Sequence, residues 1–93
     1  LPEGWYIMTK RSIQIQLENG LEARPVALLV QEASKYESRI YIQSEEKRVN
    51  AKSIMGMMSL GLNNGDVLTV SAEGTDEDVA VEGIEIFLSS KGA

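Results

Sequence analysis

Alternating and helix-spaced apolar residues divide the chain into a series of predicted strands and helices. Residues 11–17 alternate polar and apolar side chains, which predicts a half-buried strand with Ile13, Ile15 and Leu17 facing the core. The next segment, residues 26–36, has apolar residues at helical spacing and predicts an amphipathic helix lying on a sheet. Its buried stripe is expected to contain Val26, Leu29, Val30, Ala33 and Tyr36, whereas Ala27 and Leu28 lie off the stripe.

The second half of the chain continues with three more predicted strands and two helices. Strands are expected at residues 39–43, 48–51 and 67–72, with polar turns at 44–47 and 63–66. A short helix should begin at Ile54, with Ser53 as its N-cap. A last helix at residues 77–88 should bury Ala80, Ile84, Phe87 and Leu88. The order β-α-β-β-α-β-α predicts an α+β fold whose helices cover one face of a mostly antiparallel sheet.

Two local features sharpen the boundaries of this domain. Residues 75–78 resemble a capping box with Asp in its last position, and they place acidic side chains at the start of the last helix. Residues 1–9 are interpreted as an N-terminal extension or a remnant ahead of a domain at residues 10–93. If the extension is native, Trp5, Tyr6 and Ile7 pack on another surface; otherwise it is poorly ordered sequence before a start at Met8.

Composition excludes several classes of chemistry. The chain has no Cys and no His, which removes disulfides, thiol catalysis and the commonest metal ligand, and no metal or cofactor is expected. A net charge of −5 argues against direct binding of nucleic acid. No apolar run approaches the ~20 residues that span a bilayer, and no secretory signal is visible. We therefore expect a cytoplasmic binding domain that contacts neither nucleic acid nor membrane.

The turn at residues 19–25 leads directly into the first predicted helix. Asn19-Gly20 is a turn dipeptide, and Pro25 is tolerated in a first helical turn because its missing N–H has no intrahelical partner there. The free N–H groups of such a turn favour negative charge, and Arg24 adds a cation. This place suits a phosphoryl group, but the residue that occupies it is a carboxylate, Glu22. A surface ion pair between Glu22 and Arg24 is the commoner explanation.

The short helix after Ser53 holds more apolar surface than one buried face can hide. Ile54, Met55, Met57 and Met58 point around much of its circumference, so some of them should be exposed and available to another protein. Ser53 itself has two interpretations. It caps the helix, which alone explains the residue, or it also accepts a phosphate at a helix start that favours negative charge.

Nothing in the residues alone indicates an enzyme. Residues 61–65 lack the Lys-Ser/Thr ending of a phosphate-binding loop, and residues 76–78 lack the spacing of a calcium loop. Paired carboxylates for acid–base catalysis would need a cleft that the sequence does not predict.

Three segments of the chain resemble HPr, the histidine-containing phosphocarrier of the bacterial sugar phosphotransferase system. Residues 20–25, Gly-Leu-Glu-Ala-Arg-Pro, match the active-site motif Gly-(Leu/Ile)-His-Ala-Arg-Pro in every position but one. Residues 51–56, Ala-Lys-Ser-Ile-Met-Gly, match the regulatory-serine segment of HPr from Gram-positive bacteria. Residues 71–77 resemble the end of the fourth strand and the start of the last helix. The resemblance spans roughly Lys10 to Leu88 and implies an open-faced β-sandwich, a four-stranded antiparallel sheet with three helices on one side.

The one departure concerns the phosphorylated residue of the family. Glu22 stands where HPr carries its histidine, and a carboxylate cannot form a phosphoramidate. The sequence is closest in pattern to the catabolite-repression HPr of bacilli, which also lacks the histidine and keeps the regulatory serine. Two alternatives remain open. Glu22 could carry an acyl phosphate received from enzyme I, or it could be a constant partial mimic of phosphohistidine.

The resemblance implies a set of partners and a role for each site residue. HPr kinase/phosphorylase would phosphorylate Ser53, and the product would bind a LacI-type catabolite control protein. Ile54, Met55 and Met58 would form the apolar docking surface, and Arg24 would supply a polar contact. Enzyme I or other phosphotransferase-system proteins could bind without phosphotransfer. The chain would be a phosphoprotein of carbon catabolite repression and transcription regulation, and not an enzyme.

Overall fold

The computed structural model describes residues 8–17 and 22–89 and confirms the predicted order of elements. The elements are β1 (Thr9–Gln14), α1 (Ala23–Ala33), β2 (Arg39–Ser44), β3 (Lys47–Asn50), α2 (Ile54–Met58), β4 (Val67–Glu73) and α3 (Glu77–Leu88). Predictions for residues 1–7, the turn residues 19–21 and residues 90–93 lie outside the described residues.

The four strands form one antiparallel sheet in the order β1-β4-β2-β3. Its register places Ile13 opposite Leu68, and Ile42 opposite both Val70 and Val49, so the alternating apolar residues share one face. That face packs under the helices, while no helix among the described residues covers the other face. The predicted α+β fold, an open-faced β-sandwich of four antiparallel strands and three helices, is confirmed.

The core lies between the sheet and the helices and contains most of the predicted stripes. Val26, Leu29 and Ala33 of α1 and Ala80, Ile84 and Leu88 of α3 are buried, whereas Val30, Tyr36 and Phe87 are only partly buried. Val81 is also buried, although it lies off the predicted stripe. Helix α3 packs against both α1 and the sheet, so it buries a wider arc than a helix with one neighbour.

Two strands start earlier than predicted because strand pairing, and not alternation alone, sets their limits. β1 begins at Thr9, which lies opposite Ala72, and ends at Gln14. Beyond that point Ile15 remains buried, but its N–H donates to the Asp66 carbonyl at 2.8 Å outside the ladder. β3 begins at Lys47, which pairs with Ser44, instead of at residue 48.

The predicted capping box at the start of α3 is wrong. Asp76 is the N-cap residue, and its side chain makes no bond to α3. Its carboxylate instead accepts the N–H groups of Glu37 and Ser38, at 2.9 and 3.0 Å, and the Ser38 hydroxyl. Gly74 permits this close approach, since an added Cβ would lie 2.7 Å from the Ser38 Cα. The loop after α1 is therefore bound to the start of α3, where the predicted acidic residues Glu77 and Asp78 do lie.

A second close approach joins the C-terminal end of α1 to the middle of α3. The Tyr36 hydroxyl donates to Glu32 Oε2 at 2.8 Å, and both groups lie directly over Gly83. A Cβ at position 83 would overlap the tyrosine hydroxyl and lie 2.9 Å from the Glu32 carboxylate. The two helices reach this separation because residue 83 has no side chain.

Candidate functional site

The first candidate site is the start of α1. Glu22 is the N-cap residue in an extended conformation (φ −84°, ψ −171°), and its carbonyl accepts the Val26 N–H at 2.9 Å. Pro25 is the third helical residue, where its missing N–H removes no intrahelical bond. The Glu22 carboxylate makes no capping hydrogen bond, and the side chains of Glu22 and Arg24 are exposed. The start of α1 therefore presents both charges to solvent.

A surface ion pair does not explain these two side chains. Among residues 8–17 and 22–89, the ion pairs are Arg11–Glu85 and Lys35–Glu32, the latter at 3.0 Å. The predicted pairing of Glu22 with Arg24 is therefore wrong. Two residues apart at a helix start, their side chains point in different directions around the helix axis. Each charge remains available to a partner.

The second candidate site is the start of α2, where Ser53 is the N-cap as predicted. Its backbone is extended (φ −108°, ψ 115°), its Oγ accepts the Gly56 N–H at 3.1 Å, and its carbonyl accepts the Met57 N–H at 3.0 Å. The residue is half-buried. The hydroxyl hydrogen is not used in the capping bond, because Oγ acts there as an acceptor.

The backbone before Ser53 is held by bonds that do not involve its hydroxyl. The Ser53 N–H donates to the Asn50 carbonyl at 3.0 Å, and the Lys52 N–H donates to Asn50 Oδ1 at 2.8 Å. The Lys52 ammonium donates to the Tyr36 carbonyl at 2.7 Å, just after α1. Chemical change at Ser53 Oγ therefore leaves the path of the chain into α2 fixed.

Gly56 keeps space open beside the Ser53 hydroxyl. An added Cβ at this position would lie 3.3 Å from Ser53 Oγ and 3.3 Å from the Val49 Cβ of β3. The glycine thus allows α2 to lie close to β3 and adds no side chain beside Oγ.

The predicted exposure of the apolar residues of α2 is confirmed, and the structure divides them sharply. Met57 is fully buried in the core, whereas Met55 is 85% exposed. Ile54 and Met58 are 49% and 47% exposed. We call Ile54, Met55 and Met58 the α2 patch. Three large apolar side chains exposed together on one turn are typical of a surface that binds another protein.

The predicted site residues therefore form two groups. Ser53 and the α2 patch lie together on one helical turn, while Glu22 and Arg24 lie at the start of α1. Helices α1 and α2 pack against each other. Within the described part of the chain, no hydrogen bond joins the two groups, so the structure does not make them a single polar site.

Among the described residues, three titrating groups have shifted pKa values, and hydrogen bonds within the fold contribute to each shift. Hydrogen bonds from the Ser38 hydroxyl and the Glu37 N–H lower the pKa of the Asp76 carboxyl. The bond to Glu32 raises the pKa of the Tyr36 hydroxyl. Burial opposes ionisation of Glu32, but hydrogen bonds from Tyr36 and Lys35 outweigh it and lower the pKa of that carboxyl.

A further concave surface lies outside the two candidate sites. An open polar groove lies between the β2–β3 turn and the segment Leu60–Val67, and no predicted site residue lines it. Among the residues whose positions are given, no three His, Cys, Asp or Glu side chains are grouped to hold a metal ion. No helix in those same ranges has the length and apolar character to cross a membrane.

Comparison with known proteins agrees with the fold. The family model "PTS HPr component phosphorylation site" matches residues 9–90. The chain is 44% identical over 84 residues to the HPr-like protein Crh of Halalkalibacterium halodurans, covering 90% of this chain and 100% of that protein. It is 48% identical over 83 residues to phosphocarrier protein HPr of Buchnera aphidicola, covering 89% and 98%. The crystal structure of HPr from Bacillus anthracis superposes with a TM-score of 0.85 at 44% identity, covering 87% and 96%.

Proposed function

The chain belongs to the HPr family of the phosphotransferase system, and from this premise we propose that it is a regulatory protein whose switch is Ser53. The family consists of carrier and regulatory proteins, and the chain is not an enzyme. The observation that carries the proposal is the position of the Ser53 hydroxyl. It lies at the start of α2, beside the exposed α2 patch.

The proposed modification is transfer of the γ-phosphoryl group of ATP to Ser53 by an HPr kinase/phosphorylase. A bond forms between Ser53 Oγ and phosphorus, the bond from phosphorus to the ADP oxygen breaks, and the kinase takes the hydroxyl proton. The half-exposed position of Ser53 and the absence of a side chain at Gly56 leave Oγ accessible. The bonds of Asn50 and Lys52 hold the backbone during the reaction.

A phosphate at this place adds charge without competing with the fold. The start of a helix favours negative charge, and the phosphate oxygens can keep the hydrogen bond from the Gly56 N–H. The Lys52 ammonium is already bound to the Tyr36 carbonyl, so the partner must supply most of the opposite charge. The modification therefore acts by changing the surface that a partner meets, next to the α2 patch.

The proposed partner is a LacI-type catabolite control protein in the cytoplasm. The phosphate on Ser53 would bind cationic side chains of that protein, while Ile54, Met55 and Met58 would pack into an apolar surface. Arg24, exposed at the start of α1, would supply a further polar contact. Enzyme I is proposed as a partner that binds without phosphotransfer, since Glu22 stands in the place of the phosphorylated histidine.

Intact-mass measurement tests the modification. Incubation with ATP and an HPr kinase should add one phosphate to the chain and none to Ser53→Ala. Ser59→Ala is the matched control, because Ser59 lies at the other end of α2, and this variant should still gain one phosphate. Failure of the chain to gain phosphate from a kinase that modifies authentic HPr rejects the proposal.

Binding of the phosphorylated chain tests the partner. Calorimetry with a catabolite control protein should give binding only after phosphorylation. Met55→Ala should weaken that binding by about tenfold or more, because truncation of an interface hot spot costs ~2 kcal/mol or more and ~1.4 kcal/mol is a factor of ten. Equal affinity before and after phosphorylation would remove Ser53 as the switch.

A second candidate function follows from the exposed, uncapped carboxylate of Glu22. It could receive a phosphoryl group from enzyme I as an acyl phosphate, which phosphoenolpyruvate and enzyme I should reveal as a base-labile mass increase. Alternatively, it could mimic phosphohistidine permanently, with a single negative charge. In that case Glu22→Gln and Glu22→His would change the affinity for partners with no kinase present.

A further inference from the structure

The uncovered face of the sheet carries charge opposite to that of the whole chain. The strand registers place Lys10, Arg39 and Arg48 on this face, with Glu73 as the one acidic side chain among the strand residues that point away from the helices. The net charge of the chain is −5. Acidic residues are concentrated on the helix side, where α3 alone carries Glu77, Asp78, Glu82 and Glu85. The open face therefore carries three cations and one acidic side chain, whereas the chain as a whole is acidic.

The cations of this face lie outside the ion pairs and hydrogen bonds of the described residues. Neither ion pair in the described ranges includes Lys10, Arg39 or Arg48, and no hydrogen bond of their side chains is formed with described residues. Arg39 lies opposite Glu73 in the ladder, but the two side chains do not come within ion-pair distance. All three cations are exposed. Their charge is available to a partner.

One of these cations is oriented in advance. The central carbon of the Arg48 guanidinium lies 3.9 Å from the centre of the Tyr41 ring, a cation–π contact that favours this position of the side chain. Ser71 is buried beneath this row, between Lys10 and Tyr41 in the register. A flat guanidinium presents paired N–H donors that fit carboxylate groups.

We propose that this basic sheet face, formed by Lys10, Arg39, Tyr41 and Arg48, docks an acidic polypeptide segment. Charge complementarity identifies the partner, because spaced cations on an open surface attract carboxylates. Such a surface has no deep pocket among its described residues, so it does not require a partner of one particular shape. Nucleic acid is the weaker match, since the face offers one aromatic ring and the rest of the chain repels a phosphate backbone. The face is opposite to the helices, so docking is independent of phosphate on Ser53. This goes beyond the proposed regulatory function.

Nuclear magnetic resonance of the ¹⁵N-labelled full chain with a short poly-L-glutamate peptide tests the proposal. Amide shifts should change around Lys10, Tyr41 and Arg48, and the affinity should fall as salt is raised. Unphosphorylated chain and chain phosphorylated on Ser53 should bind equally. Changes confined to the helix side, or no changes, overturn the proposal without bearing on the Ser53 switch.

Charge-reversal variants separate a docking surface from an effect of net charge. Arg39→Glu with Arg48→Glu should weaken peptide binding by about tenfold or more. The matched control is Lys35→Glu with Lys47→Glu, which makes the same change in net charge on the helix side and should bind as the parent chain does. Equal losses in both overturn the proposal, as does tighter binding of an oligothymidylate of equal charge. If circular dichroism shows that the variant Arg39→Glu with Arg48→Glu is misfolded, Arg39→Gln with Arg48→Gln gives the same test.

Discussion

The starts of α1 and α2 both offer backbone N–H groups to negative charge, but their N-cap side chains serve different ends. Ser53 turns its hydroxyl inward and accepts the Gly56 N–H, whereas Glu22 leaves its carboxylate in solvent. At α2 the polar side chain is part of the fold, and a buried methionine fixes the helix beneath it. At α1 the side chain is exposed and makes no hydrogen bond to the described residues. A change at the Ser53 hydroxyl therefore alters a bond that stabilises α2, whereas a change at the Glu22 carboxylate alters only the surface charge at the start of α1.

The largest effect should come from the side chain that holds α2 in place. Met57→Ala removes a fully buried side chain and should lower the free energy of unfolding by about 2–5 kcal/mol. Met55→Ala, two residues earlier and 85% exposed, should change it by less than about 0.5 kcal/mol. Urea unfolding of both variants gives the comparison. Equal costs would mean that α2 is not held by Met57.

The two N-cap residues should differ when each is truncated. Ser53→Ala loses the bond from the Gly56 N–H and should cost about 1 kcal/mol of unfolding free energy. Glu22→Ala loses no bond within the described residues and should stay within about 0.5 kcal/mol. Ser53→Asp, which keeps an accepting oxygen, should recover most of the loss. A cost at Glu22 as large as that at Ser53 would cancel the distinction between the two helix starts.

The cap that α1 lacks can be supplied. Glu22→Ser places a short hydroxyl at an N-cap whose backbone is already extended, and should raise the free energy of unfolding by up to about 1 kcal/mol. Glu22→Gln is the control, because it removes the charge while keeping the long side chain. The midpoint temperature of thermal unfolding should rise by a few degrees for Glu22→Ser but not for Glu22→Gln. No gain would show that the start of α1 resists capping for a reason outside the side chain.

The smallest effect on stability is expected at the start of α3, where the carboxylate of the N-cap residue Asp76 binds the loop after α1. The pKa of Asp76 is lowered in the folded state, so its contribution to stability is present above the unfolded value of about 4. That contribution is lost as the pH falls through the lower folded value. The difference in unfolding free energy between the parent chain and Asp76→Ala should therefore shrink below about pH 4. Urea unfolding over a pH series measures it, and a constant difference would contradict the assignment.

Features that depend on local pattern were predictable from the sequence. The limits of α3, the Ser53 cap and the exposure of part of α2 follow from apolar spacing and a single capping residue. Interactions between segments far apart in the chain could not be predicted from the sequence. Residues 75–78 were expected to form a capping box, but Asp76 is the N-cap and binds Ser38, which nothing in the nearby sequence indicates.

The candidate sites show the same division. Glu22 and Ser53 could be named from motifs, because each motif is contiguous. The bond from Lys52 to the Tyr36 carbonyl joins residues sixteen apart in the chain. The space beside Gly56 of α2 depends on Val49, which lies in β3. The basic sheet face draws its cations from three strands, whose register no single segment reveals.

The contact of Gly83 with Tyr36 also limits the routes by which this sequence can diverge. A larger residue at position 83 requires Tyr36 either to move aside, together with its bond to Glu32, or to be replaced by a smaller side chain. A substitution at position 36 therefore removes an obstacle to substitution at position 83. In descendants of this chain, the two positions should vary together.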